Sequence, residues 1–147
     1  MKVVIIDYGA GNVFSVTTAL QRLGVQAVLS SDVRLIARAD RVIFPGVGQA
    51  AAAMKQLKDK GLDRIIPQLE MPVLGICLGM QLMCRFSEEE NTWGLGIFPM
   101  EVKKFTDSCK VPHMGWNTVR KLETTLFQGI NPGEWMYFVH SYYLEAA

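Results

Sequence analysis

The residues with the most chemical promise lie in Gly75-Ile76-Cys77-Leu78-Gly79-Met80-Gln81. Cys77 has a glycine two positions away on each side. Pro72-Val73-Leu74 precedes the segment, and Leu78, Leu82, Met83 and Phe86 follow the cysteine at amphipathic spacing. That pattern reads as a buried strand, a sharp turn and a helix. It is the spacing of a nucleophile elbow, with sulfur in place of a serine oxygen. So tight a turn strains the nucleophile's backbone and leaves room only for small flanking residues. The helix that begins there points unpaired N–H groups at the side chain. Thiolate is the attacking form of cysteine, and helix N-termini favour it. The rival reading of Cys77 is a quiet buried thiol at a strand end, a common fate of free cysteine.

Two other loops carry glycines. Gly9-x-Gly11 suggests a dinucleotide fingerprint, but the third glycine would fall at Phe14 and the acidic ribose ligand near Val28. A tight loop is the better reading, and no cofactor or metal is called for. Pro45-Gly46-Val47-Gly48 is a rigid turn followed by flexible backbone, able either to connect two elements or to aim N–H groups at an oxyanion. A cysteine nucleophile also needs a base, normally histidine. The two histidines are His113, in Val111-Pro112-His113-Met114-Gly115-Trp116-Asn117, and His140, in Tyr137-Phe138-Val139-His140-Ser141-Tyr142. Neither is followed at short range by a carboxylate. Trp116 and Tyr137 suit either core packing or a protein interface.

The elements that must position these groups follow from the apolar runs. Strands are expected at Val3–Ile6, Val25–Leu29, Val42–Phe44 and Pro72–Leu74. Helices are expected from Val13 to Gly24 (Val13, Val16, Leu20 and Leu23 inward), from Gln49 to Lys60 (Met54 and Leu57 inward) and, in a shorter piece, over Leu62, Ile65, Ile66 and Leu69. Ser87-Glu88-Glu89-Glu90-Asn91 reads as a polar surface loop. Met100–Phe105, Trp116–Val119 and Trp135–Val139 read as smaller strands, partly antiparallel, added to the sheet. The fold class is α/β: a three-layer, open, mostly parallel sheet with helices on both faces, flavodoxin-like, in a single domain over 1–147. Ligands bind such sheets beyond the carboxyl ends of the strands, where all three glycine loops fall.

Composition narrows the function. Half of the 147 residues are hydrophobic and 20% are charged, as in ordinary globular proteins. The net charge of +1 gives no bulk attraction to nucleic acid or membrane surfaces. No apolar run reaches a membrane span. The cysteines, Cys77, Cys84 and Cys109, are odd in number and lack a framework or zinc spacing, which fits a cytoplasmic protein.

Taken together, five motifs resemble one family: Asp7-Tyr8-Gly9-Ala10-Gly11-Asn12, Phe44-Pro45-Gly46-Val47-Gly48, the Cys77 segment, Pro112-His113-Met114-Gly115-Trp116-Asn117 and Tyr137-Phe138-Val139-His140-Ser141-Tyr142. In that order they resemble the glutaminase subunits of imidazole glycerol phosphate synthase, which are class I (triad) glutamine amidotransferases. The resemblance implies hydrolysis of L-glutamine at Cys77 and delivery of ammonia to a cyclase partner, a (β/α)-barrel subunit. It implies an oxyanion hole from Leu78 and from the Gly46-Val47 peptides after a flip. It implies substrate contacts from Gly48, Gln81, His140, Ser141 and Tyr142, and a cyclase interface at Asn12, Trp116 and Tyr137. One departure stands out. The family's catalytic histidine and glutamate lie in a Phe-His-Pro-Glu segment that these 147 residues lack. The expectation is therefore a C-terminally truncated domain with negligible glutaminase activity of its own. The alternatives are a noncatalytic partner-binding subunit or another cysteine hydrolase of the same architecture.

Overall fold

Every residue of β1 (Val3–Ile6) is buried, because the sheet it belongs to is covered on both faces. Val4 and Ile6, continued by Tyr8, point into one core, and Val3 and Ile5 into another. The computed structural model describes residues 1–106 and 110–145, so Cys109 and the last two alanines lie outside the described residues.

α1 (Val13–Arg22) closes the second core with Val13, Val16 and Leu20. Leu23, expected on that stripe, falls after the helix and is exposed. β2 (Ala27–Ser30) follows, later than expected. A short helix that the sequence reading missed, α2 (Val33–Ile36), is started by Asp32, whose Oδ1 accepts the Arg34 amide at 2.8 Å. β3 (Arg41–Phe44), α3 (Ala50–Asp59) and α4 (Leu62–Ile65) come next, with Gly61 at φ 68° between the two helices. Met54, Leu57 and Leu62 pack with Val4, Ile6 and Phe44 in the first core. β4 (Val73–Gly75) leads into α5 (Leu78–Leu82). The four strands lie in the order β2-β1-β3-β4, all parallel, with Val4 opposite Val28 and Val42, and Ile43 opposite Leu74. This is the α/β sheet with helices on both faces that the apolar runs predict.

Beyond Leu82 the chain departs from expectation. The stripe through Phe86 is not helical: β5 (Cys84–Ser87) starts almost at once. The reason lies in the acceptors. Leu95 N–H donates to the Leu82 carbonyl at 2.8 Å, Phe98 N–H to Met83 at 3.0 Å and Gly96 N–H to Cys84 at 3.1 Å. Carbonyls that would have continued the helix are taken by the returning chain. β6 (Thr92–Trp93) pairs antiparallel with β5, and β7 (Phe98–Lys104) pairs parallel with it. β8 (His113–Thr118) and β9 (Trp135–His140) form an antiparallel pair, and β10 (Tyr142–Leu144) follows. These late strands pair in sheets of their own; none extends the four-stranded parallel sheet.

The chain divides into two compact units. One holds Met1–Lys103 together with the stretch from Leu144, and the other holds Lys104–Tyr143.

Candidate active site

Cys77 sits between β4 and α5 at φ 53° and ψ −117°, and its side chain is exposed. A residue with a side chain rarely adopts that backbone, which costs about 1–3 kcal/mol where it persists. Close contacts hold it there. A Cβ on Gly79 would lie 1.9 Å from the Phe44 carbonyl oxygen, and one on Gly75 would lie 2.7 Å from Met80 Cα. Ile76 N–H donates to that same Phe44 oxygen at 3.0 Å, Gly79 N–H to Ile76 O at 3.0 Å, and Gln81 N–H to Cys77 O at 3.1 Å. The spacing of the two glycines therefore reflects close backbone approach on both sides of the sulfur.

The same packing gathers the three loops. A Cβ on Gly46 would come within 2.4 Å of Gly79 N and 2.8 Å of Leu78 Cβ, so the Pro45 loop lies directly on the start of α5. A Cβ on Gly11 would be 3.3 Å from the Pro45 ring, so the first loop abuts the second. Gly46 and Leu78 are buried, whereas Val47 and Gly48 are exposed. Gly48, at φ 98°, has open space around it. Gln81 is half-buried on α5. Asn12 is exposed, and its Oδ1 accepts the Ser15 amide at 3.1 Å, capping α1.

Tyr8 is a site neighbour that sequence reasoning passed over. It is fully buried, and its ring meets Phe44 edge-on at 5.5 Å. Its phenol is pushed up to about 12, first by burial and then by the nearby Cys77 charge. It therefore stays protonated beside the elbow. Burial likewise raises the Cys84 thiol, which belongs to the core.

The second unit holds the remaining predicted residues. His113 and His140 face each other across β8 and β9, with rings 5.4 Å apart and edge-to-face. Phe105 lies 5.2 Å from the His140 ring and stacks on Tyr143 at 4.7 Å. His140 Nδ1 lies 2.8 Å from the Tyr142 carbonyl, which can only accept, so Nδ1 carries the proton. Ser141 gives its carbonyl to Phe105 N–H at 3.1 Å. On the opposite face Trp116 and Tyr137 pair across the strands at 5.5 Å, both exposed. Met114, Trp135 and Val139 extend that exposed apolar face.

A second miss is Glu89, read as part of a polar surface loop. Ser87 and Thr92 on either side of it are buried, and Glu89 is half-buried. Its Oε2 accepts the Ala50 amide at 2.8 Å. Nothing local in the sequence signals a bond between residues so far apart. Among the described residues no group of three or more His, Cys, Asp or Glu gathers, and no helix is long and apolar enough to cross a membrane.

A parallel α/β sheet with a strained, exposed cysteine at a strand-to-helix turn is a nucleophile-elbow arrangement, and comparison with known proteins gives its family. The chain belongs to the class I glutamine amidotransferase family, whose model matches residues 4–147. Its fold is similar to a crystal structure of a glutamine amidotransferase, with a TM-score of 0.74 at 16% identity over 97% of this chain and 74% of that one. Within the class, the chain is similar to proteins named imidazole glycerol phosphate synthase subunit HisH. The one from Bacteroides fragilis (strain YCH46) is 58% identical over 147 residues, covering 98% of this chain and 75% of that relative. The one from Vibrio parahaemolyticus is 46% identical over 149 residues, covering 96% and 73%.

Proposed function

We propose that this chain is the glutaminase part of an imidazole glycerol phosphate synthase and that Cys77 is its nucleophile. The observation that carries the reading is the exposed Cys77 at φ 53°, with the Gly46 loop packed on the helix that starts beside it. The Cys77 sulfur attacks the side-chain carbonyl carbon of glutamine. A C–S bond forms and the carbonyl π pair moves onto oxygen. The Leu78 N–H and, after a peptide flip, the Gly46-Val47 loop donate to that oxyanion. The pair returns, the C–N bond breaks, and the nitrogen takes up the proton that left the thiol and departs as ammonia. Water then cleaves the thioester, giving glutamate and restoring the sulfur. Gly48, Gln81 and the His140-Ser141-Tyr142 segment are proposed to contact glutamine. Asn12, Trp116 and Tyr137 are proposed to meet a (β/α)-barrel cyclase, which uses the ammonia in histidine biosynthesis. A reactive exposed thiol suits a reducing compartment, the cytoplasm.

The proton steps need a base that neither histidine of these 147 residues supplies. Both carry other motifs of the family, and His140 is engaged with Tyr142. β4 forms one rim of the parallel sheet, with Leu74 and Ile76 part-exposed. General acid–base help is worth roughly 10²–10⁴-fold, so the 147 residues alone should turn over glutamine negligibly. The test is incubation with a diazo-ketone analogue of glutamine, read by intact mass, beside ammonia release with the cyclase present. Labelling confined to Cys77 supports the nucleophile. A full-length label elsewhere, or none, removes it. Near-normal ammonia release would show that a residue within the 147 serves as base.

A further inference from the structure

We propose that Glu89 is a positioning residue for the oxyanion loop. The inference rests on the reading of Cys77 as nucleophile and of the Gly46-Val47 peptides as oxyanion donors. α3 begins at Ala50, two residues past Gly48, and its N-cap Gln49 makes no side-chain capping bond. The vacancy is filled from elsewhere in the chain: Glu89 Oε2 accepts Ala50 N–H at 2.8 Å across 39 positions. A carboxylate suits the start of a helix, both as an ionised acceptor and through the helix dipole.

Glu89 is itself held at both ends of its backbone. Its N–H donates to Ser87 Oγ at 3.2 Å, and its carbonyl accepts from Thr92 Oγ1 at 2.7 Å. Both hydroxyl residues are buried, Ser87 at 5% exposure and Thr92 at 8%. Two buried hydroxyls spent on one turn fix where its carboxylate points.

The loop between Pro45 and Ala50 thus has two anchored ends made in different ways. At Gly46 the anchor is steric contact with Leu78 and Gly79. At Ala50 it is a charged hydrogen bond. Between them Val47 is exposed, and Gly48 stands in open space at φ 98°. The central peptides have room to reorient, and the two anchors limit the range their N–H groups can sweep. Removing Glu89 frees the far anchor, and the loop then spreads its N–H groups over more orientations than the oxyanion requires.

The test separates this from a role for the Glu89 charge on a ligand. Glu89→Ala removes the acceptor. Glu89→Gln keeps an acceptor oxygen and loses the charge. Glu89→Asp keeps the charge but is one methylene too short. Two quantities are read on the 147-residue chain: the rate of Cys77 labelling by the diazo-ketone analogue over a range of concentrations, and amide hydrogen exchange at Ala50. Glu89→Ala and Glu89→Asp are expected to lower the saturating rate roughly 10- to 100-fold, the worth of one hydrogen bond to a charged group. The half-saturating concentration should stay nearly unchanged, Ala50 exchange should quicken, and Glu89→Gln, which keeps the acceptor and loses the charge, should fall between the parent and Glu89→Ala. Three results overturn the proposal: Glu89→Gln as slow as Glu89→Ala; a change confined to the half-saturating concentration; or faster Ala50 exchange with labelling intact. If Glu89→Ala fails to fold, the Gln and Asp variants decide between the same outcomes. If the parent itself is unlabelled while Ala50 stays protected, the nucleophile reading fails, and this inference falls with it.

Discussion

The glycines around Cys77 and those of the second unit are the same residue used in opposite ways. Gly46, Gly75 and Gly79 have neighbours that would lie within 1.9–2.9 Å of an added Cβ. Gly115, Gly129 and Gly133, at φ 153°, 87° and 94°, have nothing within 4 Å. Around the sulfur, glycine allows backbone to touch backbone, and every contact is inward. In the second unit it only permits a turn or an extended bend, and the large side chains of β8 and β9 stand out in solvent. The contrast separates two demands: a reacting atom needs over-determined surroundings, whereas a surface for a partner needs side chains left uncovered.

The strongest way to break this contrast is Gly79→Ala. Its methyl would meet the Phe44 carbonyl inside the sheet, so the loss should exceed about 4 kcal/mol, seen as failure to fold or a collapse in Tm. Gly115→Ala, in open space, should lower stability only through its backbone angle. Comparable losses at the two sites would remove the distinction. Next in size is Trp116→Ala, expected to weaken binding to the cyclase by about 2 kcal/mol or more. Its stability cost should stay near 1 kcal/mol, the worth of its edge-on contact with Tyr137. Isothermal titration beside thermal unfolding reads both numbers.

Alkaline pH probes the packed side of the contrast. Folded Tyr8 ionises only near about 12, against 10.0 when solvated. A raised pKa means the fold favours the neutral phenol. Its contribution is complete below pH 10.0 and is lost as pH climbs to about 12. The size is roughly 2–3 kcal/mol. Tyr8→Phe should flatten urea-unfolding stability across that window, and an unchanged slope would place the loss elsewhere. Cys84, raised by burial, tilts the curve in the same direction, so Cys84→Ala is the natural control. The smallest effect should come at the sulfur. Cys77→Gly should raise stability by about 1–2 kcal/mol through relief of its positive φ, while abolishing labelling. A destabilised Cys77→Gly would mean the elbow is not strained.

What could be read from the residues follows the range of the forces involved. β1, β3, the Cys77 elbow and the closing turn at Gly61 rest on neighbours in the chain, so periodicity and glycine spacing reveal them. The end of α5 at Leu82 was hidden, because it depends on amides from residues 95–98 reaching back for its carbonyls. Of the late strands, β7, β8 and β9 are legible as strands, whereas β5, β6 and β10 are not, and none of the partners is, since pairing over tens of residues leaves no periodic trace. Asp32 does offer a local signal for α2, a capping aspartate before Val33. At the site, the sulfur and its loops were legible from motif spacing. Glu89 and Tyr8 were not, one because its bond spans 39 positions, the other because a tyrosine after a strand looks like ordinary core.

The crowding at Gly79 has a genetic corollary. Every base change in a glycine codon that is not silent gives either a stop or a residue with a Cβ, and a Cβ there would lie 1.9 Å from the Phe44 carbonyl oxygen. The usual gradient from mild to severe missense change is therefore missing at this position. Drift cannot approach it in small steps, and the turn beneath the sulfur changes only when its neighbours change in the same lineage.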